Sequence, residues 1–157
     1  RALDISRDER AGQAGLIFVH YARLAPISRL LTMARVVPSS VRCECHRPCC
    51  SGWQNHPDWE AAVDAICVYL RDIAIVHQSG KRGLSSQPLL RRAVVENFFD
   101  PKRLFSPKRE AERCDISEVT VYHHKNIITS WLDNAEKDAW TTLDEALVAA
   151  QIVGALA

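Results

Sequence analysis

No apolar run in this 157-residue chain approaches the roughly 18 residues needed to cross a bilayer, and no signal-peptide pattern is visible at its start. Internal repeats and low-complexity tracts are absent. There is no Gly-rich phosphate loop, no Ser/His/Asp order and no paired-carboxylate pattern. A membrane span, a repeat array and the common nucleotide-binding or triad enzymes therefore find no support. His20, His123 and His124 are formal candidates for general bases, and Cys49 or Cys50 for a nucleophile. Adjacent residues on a helix point about 100° apart, so His123 and His124 cannot share one task. The chain is expected not to be an enzyme.

Charged residues make up 25% and apolar ones 47%, an ordinary globular mix that argues against wholesale disorder. The length suits one compact domain, or one domain with a small appendage, and is enough to bury a core without disulfides. The net charge of +1 conceals basic and acidic blocks. Residues 1–42 carry seven Arg against three acids, a net of +4. Residues 81–113 carry nine Lys and Arg against four acids, a net of +5, whereas 133–147 carry five acids against one Lys, a net of −4. Local basic blocks in a nearly neutral chain suit a polyanionic partner, though solvated helix faces give the same pattern.

Apolar periodicity reads as nearly all helix. Residues 8–24 and Pro26 to about Arg35 form two helices, the second ending before Pro38. Pro57 opens a third of about 20 residues, with Trp59, Val63, Ile66, Leu70, Ile73 and His77 on one face. A fourth spans Pro88 to Phe99, with Leu90, Val94, Val95 and Phe98 inward, and Asp100-Pro101 breaks it. The expected fold class is all-α: a helical bundle with a helix-turn-helix and a small zinc knuckle, and no strands. The expected domains are an N-terminal helical lobe over 1–78 with the knuckle at 41–53, a linker over 79–87, and a helix-turn-helix lobe with a C-terminal helix over 88–157.

Six cysteines is a high count, and four of them, Cys43, Cys45, Cys49 and Cys50, fall within eight residues. Cys67 and Cys114 sit in helical patterns as small core residues. The local density points to a structural zinc ion, because thiolates suit zinc and a closed site takes four ligands. Cys-x-Cys and adjacent Cys-Cys are awkward spacings, so His46 or His56 is an alternative fourth ligand, with Arg42 and Arg47 offsetting the thiolate charge. Unligated thiols and a disulfide stay open as alternatives.

Residues 106–132 carry the functional reading. Ser106 caps a short helix with Pro107 at its first position, and the helix ends near Cys114. Ser117 caps a second. Ala111 provides room for a close crossing, and Ile116, Val121 and Ile128 fill the space between. This is the arrangement of a helix-turn-helix. Its second helix is expected to expose Glu118, Thr120, Tyr122, His123 and Lys125 to base edges and phosphates, with Arg109 and Arg113 on phosphates. The nucleic-acid-binding set is Arg109, Arg113, Ser117, Thr120, Tyr122, His123 and Lys125.

The run from Ala111 through Ile116-Ser117 and Thr120-Val121 to His124 resembles region 4 of sigma factors and the LuxR-type DNA-binding domain. One departure is the stretch Asp100 to Phe105, where that pattern usually has a glycine. The Cys-rich run from Val41 to Trp59, together with this motif, resembles phage late-gene antiterminators of the Q type over roughly residues 40–135. That resemblance implies a cytoplasmic protein of a bacterial host cell. It would bind double-stranded DNA and act on RNA polymerase, with zinc as structural cofactor and no membrane partner. A phage small terminase subunit, or another helix-turn-helix assembly protein, is the alternative. The C-terminal stripe Leu132, Ala135, Ala139, Leu143, Ala146 and Ala150 reads as a helix returning to the core, or as a contact for a second copy, giving a homodimer, or for polymerase.

Overall fold

The computed structural model describes residues 7–45, 47, 51–77 and 87–152, with the side chains of 7–9 and 72–77 excepted. The described residues form six helices and one hairpin: α1 Arg7–Arg23, α2 Pro26–Val36, β1 Ser40–Arg42, β2 Trp53–Asn55, α3 Pro57–His77, α4 Pro88–Phe99, α5 Pro107–Cys114 and α6 Glu118–Ala149. Four helices start at proline, whose fixed φ and missing N–H cost nothing at a first helical position. None of the described helices is long and apolar enough to cross a membrane.

One hydrophobic core joins α2 through α6. Leu31 and Ala34 of α2, Trp59, Val63 and Ile66 of α3, Leu90, Val94 and Val95 of α4, Ala111 of α5, and Val121, Ile128 and Leu132 of α6 are all buried in it. The core thus draws on both of the expected lobes. The linker between them lies outside the described residues, save Gln87, which precedes α4. Phe99 is buried and Phe98 half-buried; the two rings meet edge-on at 5.0 Å.

Two expectations need correction. The N-terminal half is not strand-free: β1 and β2 pair antiparallel, with Val41 opposite Gln54 and Arg42 opposite Trp53. The expected recognition helix and C-terminal helix are one continuous α6 of 32 residues. No proline or glycine interrupts 118–149, and the buried stripe Val121, His124, Ile128, Leu132, Ala139, Leu143 and Leu147 keeps helical spacing throughout.

Arginines fasten the elements together. Arg35 of α2 donates from Nε and Nη2 to Glu136 of α6 at 2.7 and 2.8 Å and stacks over the Phe98 and Phe99 rings. Arg92 of α4 pairs with Glu60, Asp64 and Glu96. Arg103, in the loop before α5, lies 4.5 Å over the Trp59 ring and donates to Asn55 Oδ1 at 2.7 Å, which ties the hairpin to the body. Burial alone would raise the Glu136 carboxyl. The Arg35 hydrogen bonds, helped by the Trp140 N–H, outweigh it and hold the carboxyl below its ordinary value.

Candidate nucleic-acid interface

The Ser106 Oγ accepts the Arg109 N–H and caps α5, with Pro107 in the first turn. The helix ends at Asp115, whose φ of 53° and ψ of 51° are left-handed. The Ile116 N–H then reaches back to the Ala111 carbonyl at 3.1 Å, closing the turn. Two residues later Ser117 caps α6: its Oγ accepts the Thr120 N–H at 3.1 Å and lies 2.9 Å from Thr120 Oγ1. Three residues, 115–117, therefore join α5 to α6, and each helix end at the joint carries a capping hydrogen bond.

Ala111 is buried where α5 meets α6, beside Val121 and Ile128, with Ile116 half-buried against the same core. The α4 helix lies against both. The seven candidate binding residues fall into two groups. Ser117, Tyr122 and His123 are exposed. Thr120 is half-buried, because its hydroxyl is drawn into the cap. Lys125 is half-buried too: its ammonium sits 4.5 Å above the Phe105 ring, a partner contributed by the loop before α5. The expectation that both would be exposed is corrected by these two contacts.

Arg109 and Arg113 are exposed on α5 but are not idle. They flank Glu110, which is only 1% exposed. Arg109 Nη2 lies 3.2 Å from Glu110 Oε1 and Arg113 Nη2 lies 2.6 Å from Oε2. The second contact is an ion pair and not an aligned hydrogen bond. A carboxylate this deep needs such compensation. Arg109 also donates to the Leu104 carbonyl and Arg113 to the Leu89 carbonyl. With Arg92, Arg103 and Glu96 they line a cleft of about 270 Å³ between α4 and α5.

The outward face at the start of α6 includes residues not singled out from sequence. Glu118, Val119, Tyr122, His123 and Asn126 are exposed on the side opposite Val121, His124 and Ile128. The signal for Val119 and Asn126 was there: once 121, 124 and 128 face inward, helical spacing puts 119, 122, 123 and 126 outward. His123 and His124 diverge as expected, with ring centroids 6.3 Å apart and only His124 buried. Burial, and then the neighbouring His123, lower the His124 pKa below its ordinary 6.5. Its Nδ1 has no hydrogen-bond partner among the described residues.

The hairpin frames the cysteine cluster. Beyond the Arg42–Trp53 pair, the Cys43 N–H donates to the Gly52 carbonyl at 2.9 Å, and Gly52 turns with φ +81°. That bond brings together the two ends of the stretch that contains the other three clustered cysteines. Cys43 is half-buried and Cys45 exposed; His46, Cys49 and Cys50 lie outside the described residues. Among the described residues no group of three or more metal-ligating side chains converges. His56 sits at the opposite end of the hairpin, where its N–H donates to the Ser39 carbonyl. At about 3.3 Å per strand residue, Ser39 is roughly 13 Å from Cys43. The His56 Nδ1 accepts the Asp58 N–H at the start of α3. Both facts speak against His56 as a ligand in the loop. No protein family, no curated protein and no solved structure matches this chain.

Proposed function

We propose that the chain is a sequence-specific, double-stranded DNA-binding transcription regulator that reads DNA with the first turns of α6. The observation that carries this reading is the doubly capped 115–117 joint. It fixes α5 against α6 and leaves Val119, Tyr122, His123 and Asn126 on an exposed face. Asn and His can hydrogen-bond base edges, and Val119 can contact a thymine methyl. Arg109 and Arg113 at the α4–α5 cleft, and Lys125 over Phe105, are the cationic groups offered to phosphates. Their existing partners orient them, so less freedom is lost on binding. No catalytic role is assigned to His123 or His124.

Following the resemblance to Q-type antiterminators, the regulator acts on RNA polymerase, with late-gene antitermination as its process. The small terminase subunit remains the second reading; the 32-residue α6, which extends far beyond the α5 contact, suits an assembly protein equally well. The hairpin loop is assigned a structural zinc, held by Cys43, Cys45, Cys49 and Cys50 or with His46 replacing one of them. The Cys43–Gly52 backbone bond brings the ends of that loop together, as a small tetrahedral site requires. Such an ion would supply folding energy to the loop and no chemistry.

Selection of bound sequences from random duplex DNA, with and without RNA polymerase, tests the reading. Enrichment of one motif by the protein alone is expected. Enrichment that appears only with polymerase would shift the recognition to the complex, and none under either condition would overturn DNA reading. A stable ring of many copies in solution would favour the terminase alternative.

A further inference from the structure

We propose that α1 and the groove beside it form a homodimer interface, in which α1 of a second copy lies along the groove of the first. In α1, the consecutive residues Leu16, Ile17, Phe18 and Val19 are all exposed, Phe18 by 65%. Four consecutive residues of a helix point around its whole circumference, so the described residues leave every side of this run at least partly open. The helix rests chiefly on α6, with Tyr21 Oη donating to the Arg29 carbonyl of α2. A 17-residue helix that buries so little is marginal by itself in water. A Cβ added at Gly12 or Gly15 would meet only open space. Among the described residues nothing therefore calls for glycine at these mid-helix positions, where it weakens the helix. Close approach of another backbone does.

The groove matches this unsatisfied helix. It holds about 400 Å³ between α1, α2 and α6, lined by Phe18, Tyr21, Met33, Val36, Trp140 and Leu143 among others. Thr32 contributes a hydroxyl at its wall, but that Oγ1 already donates within α2, to the carbonyls of Ser28 and Arg29. The groove thus offers an apolar surface and little polar readout, as an apolar helix would require. Charge selects which helix. The α6 segment on the groove's edge belongs to the acidic 133–147 block, with Asp138, Asp144 and Glu145 exposed. The incoming α1 carries Arg7, Arg10 and Arg23 against Asp8 and Glu9, a net of +1, with Arg23 exposed at its end, so its charge is of the sign that the acidic edge attracts. A two-fold axis lets one copy present both the apolar helix and the acidic-edged groove, so each contact is made twice.

The test is sedimentation of the full chain without DNA, from low to high micromolar, so its outcome is separate from that of the DNA reading. A monomer–dimer equilibrium is expected. Phe18→Glu and Val36→Glu change residues that are 65% and 69% exposed, so both variants should keep the native circular dichroism. Each should weaken dimerisation by on the order of tenfold or more. Val119→Glu should dimerise like wild type, because at 1.5 Å per residue it lies about 30 Å along α6 from Trp140. A wild type that stays monomeric throughout, as it would if the chain's own terminal segments covered the groove, overturns the proposal. So does a multi-copy ring, or a dimer that persists when both groove variants are folded.

Discussion

Lys125 and His123 stand two residues apart on α6 yet have different surroundings. His123 is exposed on the outward face, whereas the Lys125 ammonium is held over Phe105. Replacing each separates positioning from readout. Lys125→Ala should weaken binding to all duplexes alike and reduce the salt slope by about 1. His123→Ala should relax preference at one or two base pairs and cost roughly 1–3 kcal/mol on the preferred site. Titrations of matched and mismatched duplexes across salt concentrations distinguish the two, and identical behaviour of both variants would remove His123 from base reading. His124 raises a matter of stability. Its pKa is lowered in the fold by burial and by His123, so the unfolded chain binds the proton more readily. The stability it contributes is complete above the ordinary value of 6.5 and is lost as pH falls through the lower folded value. The Glu136 and Asp100 carboxyls are also lowered, against ordinary values of 4.5 and 3.8, so their losses come at still lower pH. His124→Leu should flatten the thermal-midpoint curve just below pH 6.5 and leave the more acidic limb intact. An unchanged slope in the variant would assign that window to another group.

The α5–α6 unit rests on two serines and one alanine. Ser117→Ala removes the acceptor for the Thr120 N–H and should cost about 1 kcal/mol. Ala111→Leu pushes three more carbons into the place where the helices meet, and should cost roughly 1–3 kcal/mol with loss of DNA binding. Differential scanning calorimetry beside DNA titration reads both, and a thermal midpoint unmoved by Ala111→Leu would contradict the tight contact. The hairpin element carries the metal prediction. Protein purified without added metal should contain about one zinc per chain by elemental analysis, and chelation should loosen the hairpin while α5 and α6 stay helical. Finding none would refute the site. These elements differ in how legible they are in the chain. Pro26, Pro57, Pro88 and Pro107 announce helix starts, and Ser106 and Ser117 announce caps, so those boundaries could be read within a residue or two. The strands could not: three residues each are too few for alternation to register, and their pairing is set by residues eleven to fifteen apart. The continuity of α6 was obscured by a change in composition near Leu132, from a mixed surface to an acidic one, although no helix breaker stands there. Half-burial of Lys125 depended on Phe105, a loop residue whose position no helical periodicity reveals.

At the scale of the whole molecule, Arg35 joins the first third of the chain to the last helix. Its two-pronged hydrogen bond to Glu136 spans 101 positions in sequence. Replacing Arg35 and Glu136 by Ala, singly and together, should reveal a coupling of about 1–2 kcal/mol in a double-mutant cycle. A coupling near zero in urea unfolding would leave the apolar core as the sole link between α2 and α6. A single core shared by α2 through α6 also predicts one cooperative unfolding transition and not two. The length of α6 has its own consequence. At 1.5 Å per residue its 32 residues make a rod about 48 Å long, with the proposed reading face at one end and Trp140 and Leu143 toward the other. Two such rods joined near Trp140 act as a caliper. Each tip stands about 30 Å from the joint and each docked α1 adds roughly 10 Å between the rods, so the tips cannot open beyond roughly 80 Å, short of three turns of B-DNA at about 34 Å each. The operator of such a dimer would carry its inverted half-sites one or two whole helical turns apart, and inserting half a turn between them would put the second half-site on the wrong side of the duplex.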